Sequence, residues 1–202
     1  MSLDLTHHLF CFEGNLYIMT MMKESATRID AYGAEYSADR LTLLKDPQIS
    51  SLSEYRIEKG TRLSAIKHLA SSLLQTIDIP DSITIIEDSA FSACTSLQDF
   101  HIPNSVTEIG DYTFIGCIAL RSIHIPNSVT EIQRAAFWGC TSLQPIYIPD
   151  SVTEIGVGAF SYCEALQFIR IPQNIELIKN DIFKGCQLLS SIQLSDVETY
   201  HG

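Results

Sequence analysis

The chain has 202 residues, 46% of them apolar and 18% charged, with a net charge of −11, which describes a folded chain with room for one domain or one elongated array and excludes a disordered tract. No run reaches the roughly 18 apolar residues of a membrane-spanning helix and none is amphipathic and basic, so membrane insertion is not expected. The acidity is uneven, since residues 1–73 hold eight Lys and Arg against nine Asp and Glu while residues 74–188 hold five against thirteen, and such a surface repels phosphate backbones, so nucleic acid is not an expected partner.

In chain order, the opening MSLDLTHHLFCFEGN places Asp4 and two histidines where a secretory signal would be basic, so no export signal is read there. Residues 8–22, HLFCFEGNLYIMTMM, alternate in hydrophobicity around Glu13-Gly14-Asn15 and predict a hairpin. Residues 33–47 hold Ser-Ala-Asp-Arg between two further strand-like runs. Residues 1–50 are therefore expected to be a strand-rich cap. Residues 51–73 read as a degenerate repeat, in which Leu52, Tyr55 and Ile57 precede Leu74, Ile77 and Ile79 by 22 residues.

From Leu74 a unit recurs every 23 residues, beginning at Leu74, Leu97, Leu120, Leu143 and Leu166, and a truncated sixth begins at Leu189. The five complete units span 74–188, and 189–202 form the partial unit and a tail. Each unit opens with an alternating segment such as Leu97, Phe100 and Ile102, which reads as a short strand. A proline follows, then Asp or Asn and Ser in most units, predicting a turn whose side chains bond their own backbone. A second apolar pair such as Val106 and Ile109 returns the chain, and a short helical or 3₁₀ turn carrying Phe114 or Phe137 is expected to close the coil. One coil cannot bury these residues alone, whereas stacked coils share a core. The expected fold class is α/β, a right-handed β/α solenoid with a parallel sheet, preceded by the strand-rich cap. The sixth unit leaves Leu189, Ile192 and Leu194 with only Val197 and Tyr200 to cover them, which predicts a makeshift cap or end-to-end association.

A unit such as LRSIHIPNSVTEIQRAAFWGC (120–140) resembles the BspA-like, or Treponema-type, leucine-rich repeat family over residues 74–194, and residues 33–47 are similar to hairpins that interrupt such arrays. The resemblance implies a leucine-rich repeat horseshoe or arc. It also implies a bacterial or protist protein, secreted or at the cell surface, that adheres to protein partners.

Cys94, Cys117, Cys140, Cys163 and Cys186 share one position, as do Phe91, Phe114, Phe137, Phe160 and Phe183. A catalytic thiol needs one electropositive, partly exposed setting, which cannot be supplied five times along a wall. Both sets are thus read as structural ladders; disulfides between neighbouring cysteines are conceivable, but five equivalent cysteines cannot all pair and stacked positions bridge poorly. Glu108, Glu131 and Glu154 form a stripe read as a solvated acidic face, and Trp138 is expected to point outward or to lie at the coil's edge.

Residues that differ between units are the candidates for recognition. The second, third and fifth positions of each unit point outward and place His101, Arg121, His124, Tyr147, Phe168 and Arg170 on one concave sheet surface. Tyr and Arg are prominent in protein-binding hot spots. Pro145 lacks an amide for the ladder and should distort its strand. Zinc at His101 and His124 has no evident third ligand beyond Asp78 or Asp99, so neither metal nor cofactor is expected. The expected function is a non-catalytic protein-interaction module binding a protein or peptide. The alternatives are self-assembly through the open last coil, or an enzyme built from His7, His8, Cys11 and His68, whose spacing matches no known mechanism.

Overall fold

The computed structural model describes residues 53–57, 65–66, 69–175 and 179–194, together with the backbone of five strands before residue 46. Strands β1 (His7–Phe12) and β2 (Asn15–Thr20) form an antiparallel hairpin that pairs Phe12 with Asn15. Strand β3 (Arg28–Ile29) pairs antiparallel with β4 (Glu35–Tyr36), and β4 pairs antiparallel with β5 (Thr42–Lys45).

The repeats then build three walls. The first holds β6 (Glu54–Arg56), β8 (Thr76–Asp78), β10 (Asp99–His101), β12 (Ser122–His124), β14 (Ile146–Tyr147), β16 (Phe168–Ile171) and β17 (Ser191–Leu194). Strand β6 pairs in parallel with β8, Tyr55 opposite Ile77, at the 22-residue offset of the degenerate unit. The second wall holds β7 (Ala65–Ile66), β9 (Ile85–Ile86), β11 (Glu108–Ile109), β13 (Glu131–Ile132) and β15 (Glu154–Ile155). Strand β5 pairs in parallel with β7, and β7 with β9, so the hairpin of β4 and β5 extends this wall. Every pairing within the repeats is parallel because each coil places the same short segment directly over its predecessor.

The third wall departs from the expected β/α solenoid. Among the described residues there is no helix, and the segment carrying the phenylalanine is a run of turns. Two residues per coil adopt left-handed backbone: Ser89, Tyr112, Ala135, Gly158 and Asp181 at one position, and Ala93, Gly116, Gly139, Tyr162 and Gly185 four residues later. Right-handed helix cannot propagate through such residues. Their neighbouring amides turn outward along the stack instead: Ser89, Phe91 and Ala93 donate to the carbonyls of Asp111, Thr113 and Ile115 in the next coil at 2.9, 3.0 and 2.8 Å. The architecture is a parallel-strand β-solenoid of leucine-rich repeat type, and the helical component of the α/β expectation is corrected.

The serines of three proline turns, Ser105, Ser128 and Ser151, also behave differently from expectation, while the Ser82 hydroxyl in the first turn is buried without a partner among the described residues. Rather than bonding its own turn, each of the three hydroxyls reaches back one coil: Ser128 donates to Val106 at 2.6 Å and Ser151 to Val129 at 2.7 Å. The turn residue thereby ties adjacent coils together.

A single core runs between the walls. Phe91, Phe114, Phe137, Phe160 and Phe183 stack with centroids 5.2–6.1 Å apart, and the first four are fully buried. The cysteines line a parallel row. Cys117, Cys140, Cys163 and Cys186 each donate through sulfur to the carbonyl of the phenylalanine 26 residues earlier, at 3.0–3.3 Å. The thiol is therefore a small buried group with a donor that satisfies a buried carbonyl. Burial pushes Cys163 and Cys186 up and Cys140 up to about 12. Cys117 is also raised, by its hydrogen bond to Cys94 and by burial. Cys94 is lowered by the Cys117 thiol and the Ser71 amide, but it is equally closed to solvent.

Candidate functional site

On the first wall the alternation of a pleated strand sends one residue into the core and its neighbours out. Thus Ile77, Phe100, Ile146 and Ile169 are buried while Asp78, His101, His124 and Tyr147 are exposed. Because the coils are in register, outward residues meet their counterparts across the ladder. His101 lies opposite His124, their rings stacked at 4.9 Å and 2° from parallel. Arg170 lies opposite Tyr147, with its guanidinium 5.1 Å from the ring centroid, a cation–π contact. Arg121 is exposed beside this surface, and Phe168 and Arg170 are half-buried.

The sheet is interrupted within the site. Strand β12 pairs with β10, and β14 with β16, but β12 and β14 share no ladder. Pro145 removes one ladder bond at this step, since its counterpart Ser122 uses its amide to bond Gln98 at 3.3 Å and proline has none to offer, while β8 and β10 also share no ladder although Asp99, not a proline, stands at the position equivalent to Pro145. The adjacent Gln144 amide still reaches Arg121 at 3.0 Å. At this seam lies a groove of about 250 Å³ whose lining includes Arg121, Ser122, His124, Gln144, Pro145 and Tyr147. The seam thus brings His124 and Tyr147 to one depression, with the His101 stack on one side and the Arg170 contact on the other.

Two features of the surface go beyond the sequence reading. Ser122 donates to the Asp99 carboxylate at 2.5 Å, tying the third positions of two coils together. On the third wall, Trp138 is 41% exposed and meets Tyr162, 38% exposed, edge to face at 5.2 Å. Tyr162 lies against Gly185 so closely that a Cβ there would stand 2.6 Å from its ring. The signal was present in the alignment of units, for Tyr162 stands where Gly116, Gly139 and Gly185 stand elsewhere.

The second wall carries Glu108, Glu131 and Glu154 in register, with Gln133 donating to Glu108 at 3.3 Å and Lys179 paired with Glu154. Among the described residues no group of three or more His, Cys, Asp or Glu could hold a metal ion, and no helix is long and apolar enough to cross a membrane. The side chains of His7, His8 and Cys11 lie outside the described residues, as do His68, Val197 and Tyr200.

Comparison with known proteins supplies the family. A model described as a BspA type leucine rich repeat region matches residues 48–193 in six copies. No curated protein matches the chain in sequence. Among solved structures, the pneumococcal vaccine antigen PcpA aligns with a TM-score of 0.59 at 21% identity, covering 93% of this chain and 39% of that one. A leucine-rich repeat protein from Bacteroides ovatus aligns with a TM-score of 0.50 at 20% identity, over 98% of this chain and 71% of that one. A leucine rich cell surface protein from Faecalibacterium prausnitzii aligns with a TM-score of 0.46 at 24% identity, over 73% of this chain and 61% of that one. The chain thus spans well under two thirds of PcpA and somewhat under two thirds of the Faecalibacterium protein.

Proposed function

This chain belongs to the BspA-type leucine-rich repeat family, and from that premise we propose that it is a non-catalytic interaction module that binds a protein partner through the exposed face of its first wall, in the manner of a bacterial surface adhesin. The observation that carries the reading is the division of labour within each coil. Leu, Ile, Phe and Cys repeat at the inward positions, whereas the outward positions change from coil to coil and gather His101, Arg121, His124, Tyr147, Phe168 and Arg170. Side chains that are free of the core and differ between repeats can encode a partner without cost to the fold. Tyr147 and Arg170, already in contact, present an aromatic surface and a fan of donors of the kind found at binding hot spots. The test is replacement of Tyr147, Phe168 and Arg170 by alanine, followed by binding to immobilised matrix proteins and cell lysate. A loss of about tenfold or more in retention is expected; unchanged retention by the folded triple variant rejects the face.

A second reading rests on one further observation. In the last described coil Ile192 and Leu194 are 47% and 53% exposed, whereas their counterparts Ile169 and Ile171 are 0% and 2% exposed. Self-association through this coil would bury them, and sedimentation velocity across a concentration series checks it. A strictly monomeric chain at high concentration rejects this reading.

A further inference from the structure

Residues 74–188 hold five cations among thirteen carboxylates, and their fates differ by wall. Lys179 pairs with Glu154, and Lys184 lies 3.8 Å from Asp181. Arg134 is bonded by Tyr112 and lies beside Asp111, which together raise its affinity for its proton. The remaining two, Arg121 and Arg170, have no carboxylate partner among the described residues, and both stand on the first wall.

The acids of that wall are confined to its early coils. Asp78 is paired with Arg56 at 3.0 Å, and Asp99 accepts from Ser122. From unit three onward the outward positions, residues 121, 122 and 124 and their counterparts in the next three units, contain no Asp or Glu. Among the described residues the acidic repeats thus carry a basic and aromatic island without a carboxylate partner, and the groove at Pro145 lies inside it. The acidic repeats around it repel an anion, so such an island gives orientation as well as attraction.

We propose that the occupant of this face is an acidic polypeptide segment in extended conformation, whose carboxylates are taken by Arg121 and Arg170 while an intervening side chain enters the groove between His124 and Tyr147. The proposal rests on the interaction-module reading and specifies its partner. Guanidinium suits this role because its planar fork matches a carboxylate edge to edge, and Arg170 lies over the Tyr147 ring with no carboxylate partner among the described residues. The geometry also sets a spacing. Strands lie about 4.8 Å apart and residues about 3.3 Å apart along a strand. Arg121 and Arg170, two strands and three residues apart in register, therefore have Cα atoms about 14 Å apart, which an extended peptide spans in about four residues.

The probe is a blocked eight-residue peptide with two glutamates four positions apart, compared with its Gln and Lys counterparts by amide chemical-shift perturbation on the full chain. The expected result is binding of the Glu peptide at least tenfold tighter than the Gln peptide, with shifts on the first wall and weakening as salt rises. R121Q/R170Q should remove that preference, R134Q should not, and Gln144→Glu should weaken binding while leaving both arginines in place. Equal binding of Glu and Gln peptides on the first wall, lost in Tyr147→Ala, overturns the acidic partner and leaves the interaction face standing. Shifts confined to the other walls overturn both. A sulfated polysaccharide that displaces the Glu peptide at lower concentration overturns the peptide in favour of a glycan.

Discussion

The middle coils and the last described coil carry nearly the same inward residues and bury them differently. Phe137 and Cys140 are closed completely, with coils on both sides, whereas Phe183, Cys186 and Leu189 are half-buried and Ile192 and Leu194 are about half exposed. Burial in a stacked array therefore belongs to the interface between coils rather than to the coil, and the same residue type is worth different amounts at different addresses.

Truncation of the aromatic stack breaks that comparison most strongly. Phe137→Ala should cost about 3–5 kcal/mol, read as a fall in the urea midpoint, and Phe183→Ala less than half as much. Equal losses would show that each coil is stable on its own. Gly156→Ala tests how closely middle coils approach. A Cβ there would stand 2.5 Å from the Arg134 nitrogen and the Gln133 carbonyl carbon, so a destabilisation of about 1–3 kcal/mol is expected in thermal melts. At Gly116 the space is open and only the left-handed backbone opposes the change, so about 1 kcal/mol is expected.

The thiols sharpen the comparison through pH. Cys140 is raised from an ordinary 9.0 to about 12, so the folded state holds a proton that the unfolded state releases sooner. The associated stability is fully present below pH 9 and is lost as pH rises from 9 through about 12. Melting temperatures should fall over that window, and less steeply in Cys140→Ala after allowing for its lower baseline. In native protein at pH 8.5, iodoacetamide should modify Cys186, which is half-buried, before Cys117, Cys140 or Cys163. The smallest effect is expected at Ala93, an exposed alanine at φ 57° where Gly116, Gly139 and Gly185 stand in other coils. Ala93→Gly should stabilise by about 0.5 kcal/mol, the relief of left-handed strain exceeding the added freedom of the unfolded chain.

What the sequence determined by itself was whatever the 23-residue period repeats: the parallel stacking, the inward Leu, Ile, Phe and Cys, the family, and the outward direction of His101, His124 and Tyr147. Periodicity states these directly, because a residue recurring in every unit meets its own copies above and below. Tertiary structure alone decided how the third wall closes. Nothing in the apolar pattern distinguishes a helical turn from left-handed turns whose amides bond the next coil, since both present Phe114 to the core. It also decided which cations are already partnered. Lys179 is close to Glu154 only because one coil lies over another, and Arg121 and Arg170 are left without a carboxylate among the described residues for the same reason. Charge pairing depends on distances of a few ångströms between residues far apart along the chain, and composition carries no trace of them.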